Sequence, residues 1–314
     1  MINKILGISP WVEVFIKFLY WRFNFINTFL AHLARKKNKI HSKKIGYIDF
    51  SKVIDLLISS GLNVDSTLIV HSSWDALKST NKTSLQICES LFNLVKDGAL
   101  VMPAIPIFKA KRAGIDRLLN SYDDEITIYD VEKARVSTGA LPATMLKMEG
   151  SIRSPHPLNS IVAMGKVSSK LVEGNIEGDA SLPCGMNSSW FRCYQNNAYI
   201  VCLGVDASHS LTMIHVAEDA WPEIWPIKNW YRNRIFKIVY KGREFIKTIQ
   251  ERDPKWSIFY AERTLQKDLV RNGVCKQFNI DGLHIELLSS KALIDFLNNR
   301  KSSAYPYFIP FFLR

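Results

Sequence analysis

Apolar positions along the chain switch between two periods, and the switches mark alternating helices and strands. Phe50, Val53, Ile54, Leu57 and Ile58 recur at helical spacing, with Asp49 or Ser51 as the cap and Gly61 as the stop. The apolar run at residues 66–71 then reads as a buried strand. Thr83 or Ser84 caps a second helix with Leu85, Cys88, Leu91, Phe92 and Val95 on one face, and Asp97-Gly98 turns into a strand over residues 99–103. Two helix-separated apolar strands predict a parallel sheet covered on both faces, with sites at the carboxyl ends of the strands. His71 and Pro103 stand at those ends.

Residues 104–135 are polar and irregular and read as an excursion over the strand ends, with an acidic patch at Asp123, Asp124 and Glu125. Thr138-Gly139 opens a short helix closed by Gly150, residues 198–205 form another buried strand, and Ser208 caps the helix after it. Residues 234–240 and 243–249 flank Lys241-Gly242 as an antiparallel hairpin. A helix to about Gly273, two short strands around Gly282 and a last helix from Ser289 or Ser290 follow. The fold class is therefore α/β: a central, largely parallel sheet flanked by helices, with an antiparallel C-terminal extension and an N-terminal amphipathic helix. Residues 46–314 form one domain, and residues 1–45 stand apart from it.

That first segment is apolar over residues 11–33, but Glu13, Lys17, Arg22, Asn24 and Asn27 interrupt it, which leaves no clean spanning run. A lone Lys4 and the lack of a small-residue cleavage site match a signal peptide poorly. Trp11, Phe15, Phe18, Trp21, Phe25 and Phe29 recur at steps of three and four, so the segment reads as a helix carrying an aromatic stripe. Such a stripe lies in a bilayer interface, packs on the protein's own body, or meets a second subunit in a homo-oligomer. The basic run Arg35, Lys36, Lys37, Lys39, Lys43 and Lys44 beside it resembles a membrane-proximal cluster.

Charge enlarges that picture. The chain of 314 residues carries a formal net charge of +12, which favours anionic partners, and no nucleic-acid-binding motif accompanies it. Five cysteines at irregular spacing, with no CxxC pair, exclude a disulfide framework and a zinc site of the usual spacing and point to reduced thiols in a cytoplasmic setting.

Candidate chemistry gathers on the loops. His71-Ser72-Ser73 ends a strand on small hydroxyl side chains that let a phosphate or an amide approach the backbone closely, although a capping turn explains the same residues. His156 lies between Pro155 and Pro157, a rigid frame that fixes where an imidazole points, as a general base requires; a structural turn is the competing reading. Thr212, His215 and Glu218 share a helix face, where the carboxylate orients the imidazole. Cys184 has no local base and reads as a loop thiol, and neither Ser72 nor Ser73 sits in a GxSxG elbow.

Six motifs in order, HSSWDAL (71–77), DGALVMPA (97–104), STGALP (137–142), RSPHPLNSIVAMG (153–165), GMNSS (185–189) and VCLGVDASHSLTMIHVAED (201–219), make the chain resemble the aminoglycoside 3-N-acetyltransferase family from about Ile45 to Asn299. The resemblance implies an acetyl-CoA-dependent N-acetyltransferase that needs no metal. It places His71, Ser72, Ser73, Met102, Pro103, Thr138, Gly139, Ala140 and Leu141 at the coenzyme A site. His156 becomes the central catalytic histidine, with His215 and Glu218 contacting the amine or supporting the base, and Asp123, Asp124, Ser160 and Thr212 lie toward the substrate. The chain departs from the family's pattern at Ala99, Ala143 and the residue after Ser188 or Ser189, which bears on substrate contacts rather than on the reaction.

A polycationic aminoglycoside calls for a strongly acidic pocket, whereas this chain is basic. The expected substrate is accordingly an amino sugar linked to a nucleotide or a lipid, acetylated during surface-glycan biosynthesis beside the membrane. Aminoglycoside resistance is the alternative, and a non-catalytic protein docked to a membrane or partner is the reading from a different class.

Overall fold

The computed structural model describes residues 7–23, 46–108, 126–178 and 180–314. The basic run at 35–44 and the acidic patch with Asp123 and Asp124 lie outside the described residues.

Ten strands are described: β1 (Thr67–Ser72), β2 (Ala99–Pro103), β3 (Thr127–Asp130), β4 (Ile152–Arg153), β5 (Ile161–Met164), β6 (Tyr199–Leu203), β7 (Tyr231–Tyr240), β8 (Arg243–Arg252), β9 (Cys275–Ile280) and β10 (Leu283–Ser289). The longer helices are α1 (Pro10–Arg22), α2 (Phe50–Ser59), α3 (Ser84–Leu94), α4 (Ser189–Gln195), α5 (Glu262–Arg271) and α6 (Ser290–Asn298). Seven strands make the main sheet in the order β4-β5-β2-β1-β6-β10-β9. β1 pairs in parallel with both β2 and β6, as the helix-separated apolar runs predict, but every outer pair is antiparallel, so the sheet is mixed and not largely parallel.

The caps hold where the sequence places them. Asp49 accepts from the Ser51 amide at the head of α2, and Thr83 with Gln86 forms a reciprocal capping box on α3. Alternating residues of β1 feed two cores: Leu68 and Val70 pack under α2 and α3, and Ile69 packs beneath α4 and α6.

Three further expectations change. The antiparallel extension is not a single appendage: β9 and β10 complete the main sheet, whereas β7 and β8 build a second sheet with β3. That sheet draws Thr127–Asp130 out of a stretch that reads as irregular, because the edge of β7, about a hundred residues further on, supplies a pairing partner that no local signal around residue 127 announces. The helix after β6 is also broken into Ala207–Ser210, a 3-10 turn at Thr212–Ile214 and a helix at His215–Asp219, and its first cap position is held by Asp206 rather than Ser208.

Of the expected aromatic stripe, Trp11, Phe15 and Phe18 are exposed on α1 and Trp21 is half-buried, while Phe25 and Phe29 lie outside the described residues. Besides the buried Val14 and an edge contact of Trp11 with Phe308, α1 is held by polar residues: Glu13 is wholly buried and binds Arg263, and Lys17 donates to Glu262 and to the Tyr260 carbonyl. No helix among the described residues is long and apolar enough to cross a membrane.

Candidate functional site

The carboxyl ends of β1, β2 and β6 open on one side of the main sheet, and four loops converge there. His71, the fifth residue of β1, is buried with its ring stacked on Trp190 at 6.5 Å. Trp190 in turn donates to the Asn159 carbonyl at 2.6 Å, which links the strand end to the proline-framed loop. Thr138 donates to the Pro103 carbonyl, and Ser160 donates to Ala104 at 2.7 Å, so the ends of β2 and both loops are held in one layer. Gly139, at φ +114° with open space where a Cβ would stand, lets the chain turn sharply into the helix Ala140–Met145.

Ser72, Ser73, Thr138, Gly139 and Ala140 therefore present partly or fully exposed surface near the strand ends. Met102 and Leu141 are completely buried in the core and Pro103 is buried as well, so these three expected coenzyme A residues present no open surface. The His71 Nε2 is a buried polar atom without a hydrogen-bond partner, and burial pulls its pKa down to about 4, which keeps the ring neutral.

Beside this layer lies a cavity of about 160 Å³ lined by Leu158, Asn159, Pro183, His215, Glu218, Asp219, Glu251 and Arg252. His215 Nδ1 donates to Glu218 Oε1 at 2.9 Å, so the expected contact survives the broken helix; Thr212, in the 3-10 turn before it, does not join. With Nδ1 carrying the proton, Nε2 is left with the lone pair. Tyr307 donates to the same Glu218 oxygen at 2.6 Å and accepts from Arg252. Burial pushes the Glu218 carboxyl up, but His215, Arg252 and Tyr307 together hold it below its ordinary value.

Asp219 behaves differently. It accepts from the Cys184 amide at 3.0 Å and the Tyr231 hydroxyl at 3.2 Å, yet burial, reinforced by the neighbouring Glu218 charge, raises it to about 7. Glu251 is held by Arg232 at 2.7 Å and by Arg234 at 3.4 Å. Burial raises the Cys184 thiol well above its usual value, consistent with a core residue behind the cavity and not a nucleophile.

His156 does not line the cavity. Its ring is buried, with Nδ1 2.8 Å from the Leu158 carbonyl, and burial pulls its pKa down to about 4 against the support of the backbone at Leu158. The loop around it is tied on all sides. Arg153 donates to Ala104 at 2.7 Å, Ser154 donates to Asn175 at 2.8 Å, and Tyr129 donates to the Ser154 carbonyl at 3.0 Å.

Sequence reasoning did not single out Asp219, Glu251, Arg252 or Tyr307. Asp219 follows Glu218 directly and was legible as a second carboxylate at the same place; Tyr307 is some ninety residues away and offers no local signal.

Several solved proteins share this fold. Solved structures with the same fold include aminoglycoside acetyltransferase AAC(3)-Xa, at TM-score 0.67 and 15% identity, covering 87% of this chain and 98% of that one. A binary complex of AAC-IIIb with CoASH matches at TM-score 0.66 and 17% identity over 84% of this chain and 100% of that one. The YokD protein from Bacillus subtilis matches at TM-score 0.59 and 20% identity over 81% and 98%. No curated protein matches. A family model described as aminoglycoside 3-N-acetyltransferase matches residues 69–300, most of the chain, and the protein belongs to that family.

Proposed function

We propose that the enzyme acetylates one amine of an amino sugar, with His215 as the base that takes the proton from the ammonium group and Glu218 holding the imidazole in the required tautomer. The 2.9 Å contact between them, on the wall of the cavity, carries this reading. Glu218 is kept ionised and so stabilises the imidazolium that forms, while Arg252 and Tyr307 hold the carboxylate in place. An unprotonated amine is the nucleophile, and a base that reaches the cavity is what the reaction asks of the protein.

When bound, acetyl-CoA supplies the acyl group as a thioester. Ser72, Ser73, Thr138, Gly139 and Ala140 are the residues that would hold it, and the unpartnered Nε2 of His71 fits a ligand at that strand end. His156 acts here as a positioning residue: its loop fixes Leu158 and Asn159, which line the cavity.

The substrate we favour is a single amino sugar carried on a nucleotide or lipid phosphate, as in surface-glycan biosynthesis. Two observations support it. Each carboxylate at the cavity is offset: Glu218 by Arg252, Glu251 by two arginines, and Asp219 by a pKa near 7. A polycation gains most from uncompensated carboxylates, whereas one amine among hydroxyls does not require them. The net charge of +12 suits a phosphate-bearing carrier. The aminoglycoside reading has its own support in the three carboxylates that line the cavity.

Thiol release from acetyl-CoA, followed with a panel of nucleotide amino sugars and of aminoglycosides, separates the two. Turnover with the first group alone is the expected result. Turnover with aminoglycosides alone overturns the glycan reading, and thiol release with neither group removes the amino sugar as substrate.

A further inference from the structure

We propose that α1 and the segment around Phe308 form a docking surface for an anionic lipid bilayer. A helix laid on a protein body ordinarily buries its apolar face and leaves charge in water. α1 buries Val14, but it also turns charge inward and leaves aromatic side chains outside. Glu13 is 0% exposed and paired with Arg263, and Lys17 is turned inward onto Glu262, whereas Trp11, Phe15 and Phe18 are 52%, 61% and 44% exposed. The helix is anchored by specific polar contacts, with its aromatic side left to solvent.

A second segment meets the aromatic side of α1 at Trp11. Trp11 packs edge-on against Phe308 at 6.0 Å, and Phe311 and Phe312, three and four residues further on, are 91% and 84% exposed. Single exposed apolar residues need no explanation, but aromatic side chains from two distant parts of the chain meeting at one place mark an interaction surface.

Charge identifies the occupant. Two copies of a chain with net charge +12 repel, which disfavours self-association through this face, while an anionic lipid surface attracts it. Arg22, in the last turn of α1, is exposed, and the sequence that follows α1 carries Arg35, Lys36, Lys37, Lys39, Lys43 and Lys44. Phe and Trp are the side chains that insert at the headgroup boundary, and two weak signals, aromatic insertion and basic charge, together give stable attachment. An enzyme so placed works beside lipid-linked sugars, but the docking surface does not depend on the identity of the substrate.

The test is co-sedimentation of the full chain with vesicles of pure phosphatidylcholine and with vesicles containing phosphatidylglycerol, for the wild type and for Phe15→Ser/Phe18→Ser. These side chains are exposed, and an unchanged melting temperature verifies that the variant is folded. We expect binding to the anionic vesicles only, weakened roughly tenfold in the variant. Absence of binding by the wild type overturns the proposal. So does equal binding by wild type and variant, which reduces the effect to charge alone, or a wild-type dimer in ultracentrifugation that the variant breaks, which assigns the face to a second copy. Acetyl-CoA thiol release, measured separately, reports on the catalytic reading independently.

Discussion

His156, on a proline-framed loop, and His215, at the head of a short helix, both stand out in the sequence, yet the fold treats them in opposite ways. His156 is enclosed, its Nδ1 used by the Leu158 carbonyl and its loop fastened through Arg153, Ser154 and Tyr129. His215 lines the cavity, with a buried carboxylate behind it. A rigid frame and a well-placed base are different achievements. The proline frame makes the loop stiff, and stiffness serves the groups the loop carries; proton transfer needs a nitrogen that reaches the substrate.

The largest effect expected from this contrast is at His215. His215→Ala should lower kcat/KM on the order of 10³-fold with the melting temperature little changed, measured by thiol release. Full activity in that variant, with loss in a folded His156→Ala protein, would reverse the two roles. Glu218→Gln keeps the shape but weakens the hold on the imidazole, and kcat should fall on the order of 10²-fold with KM nearly constant.

His156 should register chiefly in stability. His156→Ala leaves a cavity and an unpaired Leu158 carbonyl, a loss of about 2–4 kcal/mol readable from the urea midpoint. The pH dependence sharpens this. His71 and His156 have folded pKa values of about 4, below their ordinary 6.5, so between those values the unfolded chain binds more protons. Stability contributed by these two groups is therefore present above pH 6.5 and lost as pH falls toward 4. Asp219, raised to about 7 from 3.8, acts with the opposite sign: its contribution is lost as pH rises through 7. Urea midpoints between pH 4 and 6.5 should rise with pH in the wild type and rise less steeply in His156→Ala.

The smallest effect is at Tyr307. Tyr307→Phe removes one hydrogen bond to Glu218, about 0.5–1.5 kcal/mol, and should lower kcat by roughly two- to tenfold.

Much of the frame was legible in the residues. The caps at Asp49 and Thr83, the strands at 99–103 and around 200, and the Lys241-Gly242 hairpin follow from local backbone chemistry and apolar period. The His215–Glu218 contact follows from a spacing of three on a helix. Other features were not legible because each joins residues far apart. β3 pairs with β7 across a hundred residues, Tyr307 reaches Glu218 from ninety residues away, and α1 turns its charged side inward because Arg263 and Glu262 wait there.

The sequence by itself determined the alternation of helices and strands, the cluster of histidines and hydroxyls at strand ends, and the family to which those motifs belong, since these depend on neighbours within a few positions along the chain. Only the tertiary structure decided which histidine meets the cavity, which carboxylates are offset by arginine, and which side of α1 faces water. Those are matters of burial and of charge placed across long separations, and the free energy of a polar group is set by what surrounds it in space.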